Sequence, residues 1–449
     1  MKCFFILSVL FFLKLPGFCQ TPRLLITSDI GGDPDDTQSM IRLMVYSNEF
    51  EIEGLISSAS GTPGELDKAV VRPDLIKEVI NGYKQVYPNL LKHSPDFPAP
   101  EYLLSVVKKG NPDRGWANVG EGHDTEGSEW IIRAVDKKDK RPLNICIFGG
   151  QTDLAQALWK VKTYRSGKEY RSFISKIRVY DISDQDKIFD HIFTEHFSLS
   201  YILAKAPEGV DRREGAYRGI YLGGDESLTS MEWIRENVLE NHGPLGELYP
   251  TKTWTAPNPH GVMKEGDTPS WFFFLKNGLN IAEHPEFGGW GGRFVRNEKR
   301  YYNDAVDSFP GGRNARATVF RWRDDFQRDW SARMDWCIDE YARCNHPPII
   351  KVNNSSGKDL LIIRSGSGRI VNLDANGSTD PDGNSLIYEW MVYPDTENLS
   401  GEIEIKADNS KVSIKLPALG HGESLHLVLK VTDDGTPNLT SYKRIDIGF

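Results

Sequence analysis

Arg23-Leu24-Leu25-Ile26-Thr27-Ser28-Asp29-Ile30-Gly31-Gly32-Asp33-Pro34-Asp35-Asp36 is the stretch that decides the fold. Arg23 to Thr27 is a short apolar run that reads as a buried strand, and Met40, Leu43 and Met44 mark one face of a helix just after it. The four aspartates therefore fall in a strand-to-helix loop at the carboxyl edge of an α/β sheet, where such folds hold their ligands. Like charges this close repel unless a cation sits among them. Two glycines let the backbone turn tightly, and a hard cation such as Ca²⁺ takes about six to eight oxygens. A helix dipole alone asks for one or two acidic residues, and four exceed that need.

Working outward, strands and helices alternate from Pro22 to about Arg343. Ile52 to Ser57, Leu143 to Phe148 and Ile177 to Ile182 read as strands. Glu65 to Lys84, Leu154 to Lys162 and Asp329 to Arg343 read as helices. This is a doubly wound α/β pattern. Asn345-His346-Pro347-Pro348 breaks the last helix, and short alternating strands follow: Leu386 to Val392, Lys411 to Leu416, Leu425 to Val431 and Tyr442 to Ile447. That part predicts a small β-sandwich of roughly 100 residues. Within it, Asp380, Asp382 and Asp433 sit in Asp-Pro and Asp-Gly contexts that form turns without a metal, although a second calcium would use the same residues.

The chain of 449 residues divides into a leader, residues 1–20, an α/β domain over 21–345 and a sandwich over 346–449. The leader has Lys2, an apolar run from Cys3 to Leu13 and Gly17-Phe18-Cys19-Gln20, the pattern of a cleaved secretory signal; the run is too short to span a bilayer. Export to the periplasm or the medium as a soluble protein is expected, with no membrane insertion. Cys146 reads as a core residue. Cys337 and Cys344, on one predicted helix, lie too far apart along its axis for a disulfide. The formal charge of −9, with no basic stripe, excludes nucleic acid as an expected partner. The 11% aromatic content suits a protein that handles sugars.

The opening motif resembles that of nucleoside hydrolases, Asp-x-Asp-x-Gly-x-Asp-Asp, and other segments agree in order. These are Leu55-Ile56-Ser57-Ser58, Gly149-Gly150-Gln151-Thr152-Asp153-Leu154-Ala155 and Gly266-Asp267. The whole chain resembles the exported nucleoside hydrolase-like proteins described as cellulose-binding, through Asp184-Gln185-Asp186, Gly266 to Ser270, Gly288 to Arg293 and the β-rich end. The resemblance implies a nucleoside hydrolase-like, mostly parallel sheet followed by an immunoglobulin-like sandwich. It also implies a calcium site made of Asp29, Asp36, the Thr152 carbonyl and Asp267, with Asp35 holding sugar hydroxyls. Asp33 has no counterpart, because this loop is longer, and either caps the helix or touches the metal. Thr27 stands where the family has its first aspartate. Gly266 stands where the family has the histidine that helps a purine leave, which argues against purine nucleosides and leaves O-glycosides open.

The mechanism so implied uses Asp29 as general base toward water beside calcium, with inversion at the anomeric carbon. The leaving-group acid is sought among Glu265, Asp184, Asp186, His191, His196 and the His123-Asp124-Glu126 group. Asp35, Asp186, Glu126, His191 and Trp290 are the expected substrate contacts. Trp271 reads equally as core, and Arg293 either binds an acidic sugar or pairs with an aspartate. Three classes stay open: an exported calcium-dependent glycosidase acting on an oligo- or polysaccharide, a non-catalytic carbohydrate (cellulose)-binding protein, and a nucleoside N-ribohydrolase. Nucleoside hydrolases commonly form dimers or tetramers, so a homodimer is compatible with the resemblance, although an appended sandwich could block those faces.

Overall fold

The computed structural model of the chain describes residues 20–59, 69–252, 262–366, 368–393, 403–416 and 423–448. The leader apart from Gln20 lies outside them, as does the first part of the helix expected over Glu65–Lys84.

Leu24, Leu25 and Ile26 are apolar on both faces, and β1 (Arg23–Ser28) is buried throughout. Helix α1 (Asp35–Val45) opens on two carboxylates at its positive end and buries Met40, Ile41, Leu43, Met44 and Val45. After β2 (Glu51–Ser57), α2 (Pro73–His93) starts at a proline, which suits a first helical turn, so it lies further along the chain than the sequence pattern suggested. Next come α3 (Pro100–Ser105), β3 (Val107–Lys109), α4 (Glu126–Asp136), β4 (Leu143–Ile147), α5 (Gln151–Tyr164), β5 (Ile177–Ile182) and β6 (Ser200–Ala204). Two short strands, β7 (Phe294–Arg296) and β8 (Tyr302–Asp304), complete the sheet.

The sheet order is β3-β2-β1-β4-β5-β6-β8-β7, parallel except for the β7–β8 pair. Leu24 and Ile26 face one apolar core and Leu25 faces another, so both faces of the sheet are covered. The chain leaves β1 toward β2 and β3, then returns to β4 on the other side. That reversal opens a crevice at the carboxyl ends of β1 and β4.

In the C-terminal part, strands Leu361–Arg364, Leu386–Val392, Ser424–Asp433 and Thr440–Gly448 form one sheet. Strands Ile370–Asp374, Glu404–Asp408 and Lys411–Lys415 form another. Leu373, Ile414, Leu427 and Leu429 fill the space between them, giving a β-sandwich. Asp380 Oδ1 accepts from the amides of Asp382 and Asn384, and Asp433 Oδ1 from those of Gly435 and Leu439, as turn formation requires. No described helix is long and apolar enough to cross a membrane.

Two expectations are corrected, for Trp290 and for the bounds of the last helix. Trp290 is 2% exposed and packs on Phe272, Phe326 and Tyr442, so it is an interior residue joining the two halves and is closed to a sugar. The glycines around it serve a close chain crossing: a Cβ on Gly291 would come 2.3 Å from the Phe273 nitrogen. The last helix of the α/β part is Arg323–Asp335, and a separate short turn, Tyr341–Arg343, precedes Cys344. Cys146, Cys337 and Cys344 are all free and buried. Of the two alternatives for Arg293, the structure has the pairing with an aspartate, Asp307 at 2.7 Å.

Candidate functional site

A cavity of about 210 Å³ opens at the crevice beside β1, and Asp29, Asp33, Asp35, Asp36 and Asp267 line it. Local bonds set their positions. The Thr27 hydroxyl donates to the Gly149 carbonyl at 2.6 Å, tying the end of β1 to the end of β4. Gly149 itself lies so close that a Cβ there would come 2.5 Å from Asp29 Cγ, which only glycine avoids. Ser28 Oγ donates to Asp36 Oδ1 at 2.5 Å. Asp267 stands at the start of the short helix Thr268–Phe272, opposite the acidic loop.

Asp35, Asp36 and Asp267 bring one carboxylate oxygen each to within 4.8 Å of one another. Burial, and then repulsion from Asp267 and Asp29, push the Asp35 and Asp36 carboxyls well above the ordinary range. Burial and Asp29 do the same to Asp267, with Arg218 and Lys264 opposing. Asp267 Oδ2 is buried without a hydrogen-bond partner. Converging, desolvated, all-oxygen donors with an unsatisfied atom fit a hard divalent cation of the calcium type.

Asp29 adjoins this cluster, yet one of its oxygens takes Arg114 Nη2 at 2.6 Å. Asp33 pairs with the buried Lys264 ammonium and does not cap α1. Burial lowers the Lys264 amine to about 8. Thr152 lies in the first turn of α5 and outside the cavity lining. Its amide and hydroxyl donate to Asp186 Oδ2 at 2.8 and 2.7 Å. Asp186 is thus a brace for that turn, not a cavity residue.

The remaining assignments are also revised by placement. Glu265, expected as an acid, is fully buried and faces away from the cavity. It is held by Arg42 at 2.5 Å, the Tyr249 hydroxyl at 2.8 Å and the Thr268 hydroxyl at 2.9 Å. Asp184 does line the cavity, but its Oδ1 is occupied by Gln151 at 3.1 Å and by the amides of Ile188 and Phe189 at 3.0 Å. Glu126 is exposed on α4 and accepts the Lys109 amide, and His191 is exposed and stacked on Trp116 at 4.7 Å; neither lines the cavity. His196 is buried against the Tyr170 hydroxyl.

Sequence reasoning did not single out Arg114, Lys264, Tyr217 or Arg218, all of which join this site. Arg218 leans over the Tyr217 ring at 5.0 Å and donates to the Tyr217 and Tyr221 hydroxyls. Gly266 faces the cavity: a Cβ there would stand 3.6 Å from Asp35 Oδ2 and 3.5 Å from Tyr217.

Comparison with known proteins agrees with this geometry. Residues 23–294 match the family model described as "Cellulose-binding Sde182, nucleoside hydrolase-like domain". Residues 370–448 match "Cellulose-binding protein Sde0182, C-terminal domain". A solved structure of a nucleoside hydrolase-related hypothetical protein from Saccharophagus degradans, associated with carbohydrate metabolism, superposes with a TM-score of 0.80 at 33% identity. It covers 96% of this chain and 100% of its own. Titin domain M7 aligns over 23% of this chain and 94% of its own at 12% identity, but its TM-score of 0.15 carries no argument. No curated protein matches. With the crevice, its carboxylates and both halves of the chain accounted for, the chain belongs to the cellulose-binding protein family that joins a nucleoside hydrolase-like domain to a strand-rich C-terminal domain.

Proposed function

We propose that the chain binds a carbohydrate in this cavity with the help of a calcium ion held by Asp36 and Asp267, with Asp29 and Asp35 beside them. The observation that carries the proposal is the convergence of the Asp35, Asp36 and Asp267 carboxylates, with Asp267 Oδ2 buried and partnerless. When bound, calcium supplies charge neutralisation and coordination positions for neighbouring sugar hydroxyls. Asp35 accepts hydrogen bonds from those hydroxyls. Lys264 holds Asp33 and Arg114 holds Asp29, so both side chains are fixed before a ligand arrives. The family's cellulose-binding description supports a carbohydrate ligand, and the leader supports an exported protein.

A second reading, hydrolysis, is favoured by Asp29, which lines the same cavity and as a carboxylate can take a proton from attacking water once Arg114 releases it. Of the acids considered, Glu265 is held by Arg42 and Tyr249, and Asp184 Oδ1 by the amides of Ile188 and Phe189. Gly266 in place of a histidine disfavours purine nucleosides.

The test is calorimetry of the full chain against cello-oligosaccharides, plant-wall oligosaccharides and nucleosides, in calcium and in EDTA, with chromatography of released sugar. Carbohydrate binding that disappears in EDTA is expected. Binding unchanged by EDTA overturns the calcium assignment, and calcium-dependent sugar release establishes the second reading.

A further inference from the structure

Resting on the carbohydrate reading, we infer that the ligand carries an anionic substituent received at the cavity mouth by Lys187 and Arg212. Charged groups in and beside the cavity pair off from floor to rim. Asp29 takes Arg114, Asp33 takes Lys264, and Asp184 faces Lys205 at 3.4 Å. Asp35, Asp36 and Asp267 remain, and a divalent cation together with Arg218 balances them. Arg218 is anchored by two tyrosine hydroxyls, neutral acceptors that leave its charge directed at these carboxylates.

Lys187 and Arg212 are left without such a partner. Both are exposed, both line the cavity, and neither has an ion-pair partner among the described residues. Asp211, next to Arg212, is taken by Arg213 at 2.6 Å. Two exposed cations at the mouth, neither held by a carboxylate, form a local field that favours an acidic group.

The backbone at the rim supports a recognition role. Ser183, Asp184 and Lys187 adopt φ of 71°, 53° and 56°, a left-handed conformation that side-chain-bearing residues enter at a cost. The Asp184 carboxylate clamps this loop by accepting the amides of Ile188 and Phe189. The fold sustains an unfavourable conformation there and thereby fixes where Lys187 emerges. A sugar whose hydroxyls reach the carboxylate floor would set a carboxylate or sulfate ester against this rim.

The experiment is calorimetry of the calcium-loaded full chain with three probes: a uronate-containing oligosaccharide, the same oligosaccharide after reduction of its carboxyl groups to alcohols, and a sulfated sugar of similar size. The anionic members are expected to bind about tenfold tighter than the reduced one at low salt, with the preference shrinking as salt rises. The tighter of the two anionic members identifies the source of the charge. In the double variant Lys187→Gln, Arg212→Gln, calcium affinity is retained and charged and reduced sugars bind alike. Equal binding of charged and reduced sugars by the native chain, or a preference that survives in the double variant, overturns the inference while leaving carbohydrate binding intact. Calcium binding with no affinity for any of the three sugars overturns the carbohydrate reading and this inference together.

Discussion

Asp267→Asn should make the metal-free protein more stable while removing its response to calcium. Carboxylate oxygens no more than 4.8 Å apart repel by roughly 3.5 kcal/mol per ionised pair at an effective dielectric constant of about 20. Asp267 takes part in such pairs with both Asp35 and Asp36, and Arg218 and Lys264 offset a portion. Proton uptake caps the penalty at roughly 5–6 kcal/mol at pH 8, because holding one proton costs about 1.4 kcal/mol per pH unit above the ordinary aspartate value near 4. A net gain of roughly 2–4 kcal/mol for the variant in EDTA at pH 8 follows from these bounds. The sign with pH is fixed by the raised carboxyls: the folded state holds protons more tightly than the unfolded one. Destabilisation therefore accumulates as pH climbs from about 4 toward the raised folded-state values. Metal-free native protein should accordingly resist denaturant better at pH 5 than at pH 8, and the variant should show a flatter profile. Saturating the native protein to about 100 times its dissociation constant with calcium should add about 2.7 kcal/mol, and the variant should gain nothing measurable. Denaturant titrations of both proteins in EDTA and in calcium, at both pH values, measure these quantities. A variant less stable than the native chain in EDTA at pH 8, or one that calcium still stabilises in full, refutes the metal-site reasoning.

Trp290→Ala should cost about 3–5 kcal/mol in denaturant unfolding, because it empties the joint between the two halves, and should not lower sugar affinity in the protein that remains folded; a specific loss of sugar binding with unchanged stability would restore the stacking role. Arg114→Gln should raise calcium affinity several-fold at low salt, since it removes a cation 2.6 Å from Asp29, and calorimetry showing weaker calcium binding would contradict this. Glu265→Gln should destabilise the chain by about 3–5 kcal/mol by leaving the buried Arg42 charge unpaired; a well-folded variant that had lost only sugar-releasing activity would mean that Glu265 is the acid after all.

The doubly wound sheet and the sandwich were legible because their signals are local: the apolar run before the acidic loop, and the alternation of Leu386 to Val392. The carboxylates of that loop were legible for the same reason, and Asp267 entered through resemblance. Arg114, Lys264 and Arg218 were not, since each meets its aspartate through long-range packing that leaves no fixed spacing in the chain. Glu265 was misread because its partner is remote: Lys264 and Gly266 on either side line the cavity, while Arg42, far earlier in the chain, holds the Glu265 carboxylate in the core. Trp290 was ambiguous in principle, because glycines flanking a tryptophan allow close approach whether the neighbour is a ligand or Phe273.

Asp325, buried in the α/β half, takes Lys430 at 2.9 Å and the Tyr442 hydroxyl from the strand-rich half, and Tyr393 reaches across to Asp307 in the same way. A gene fragment encoding the first half alone would leave those acids short of partners and the Trp290 surface bare to water. The sandwich therefore cannot be shuffled between hosts in the manner of a linker-tethered adhesion module. Recombination that swapped it would have to bring matching tyrosine and lysine positions along, so the two halves are expected to be inherited, and to drift, as one unit.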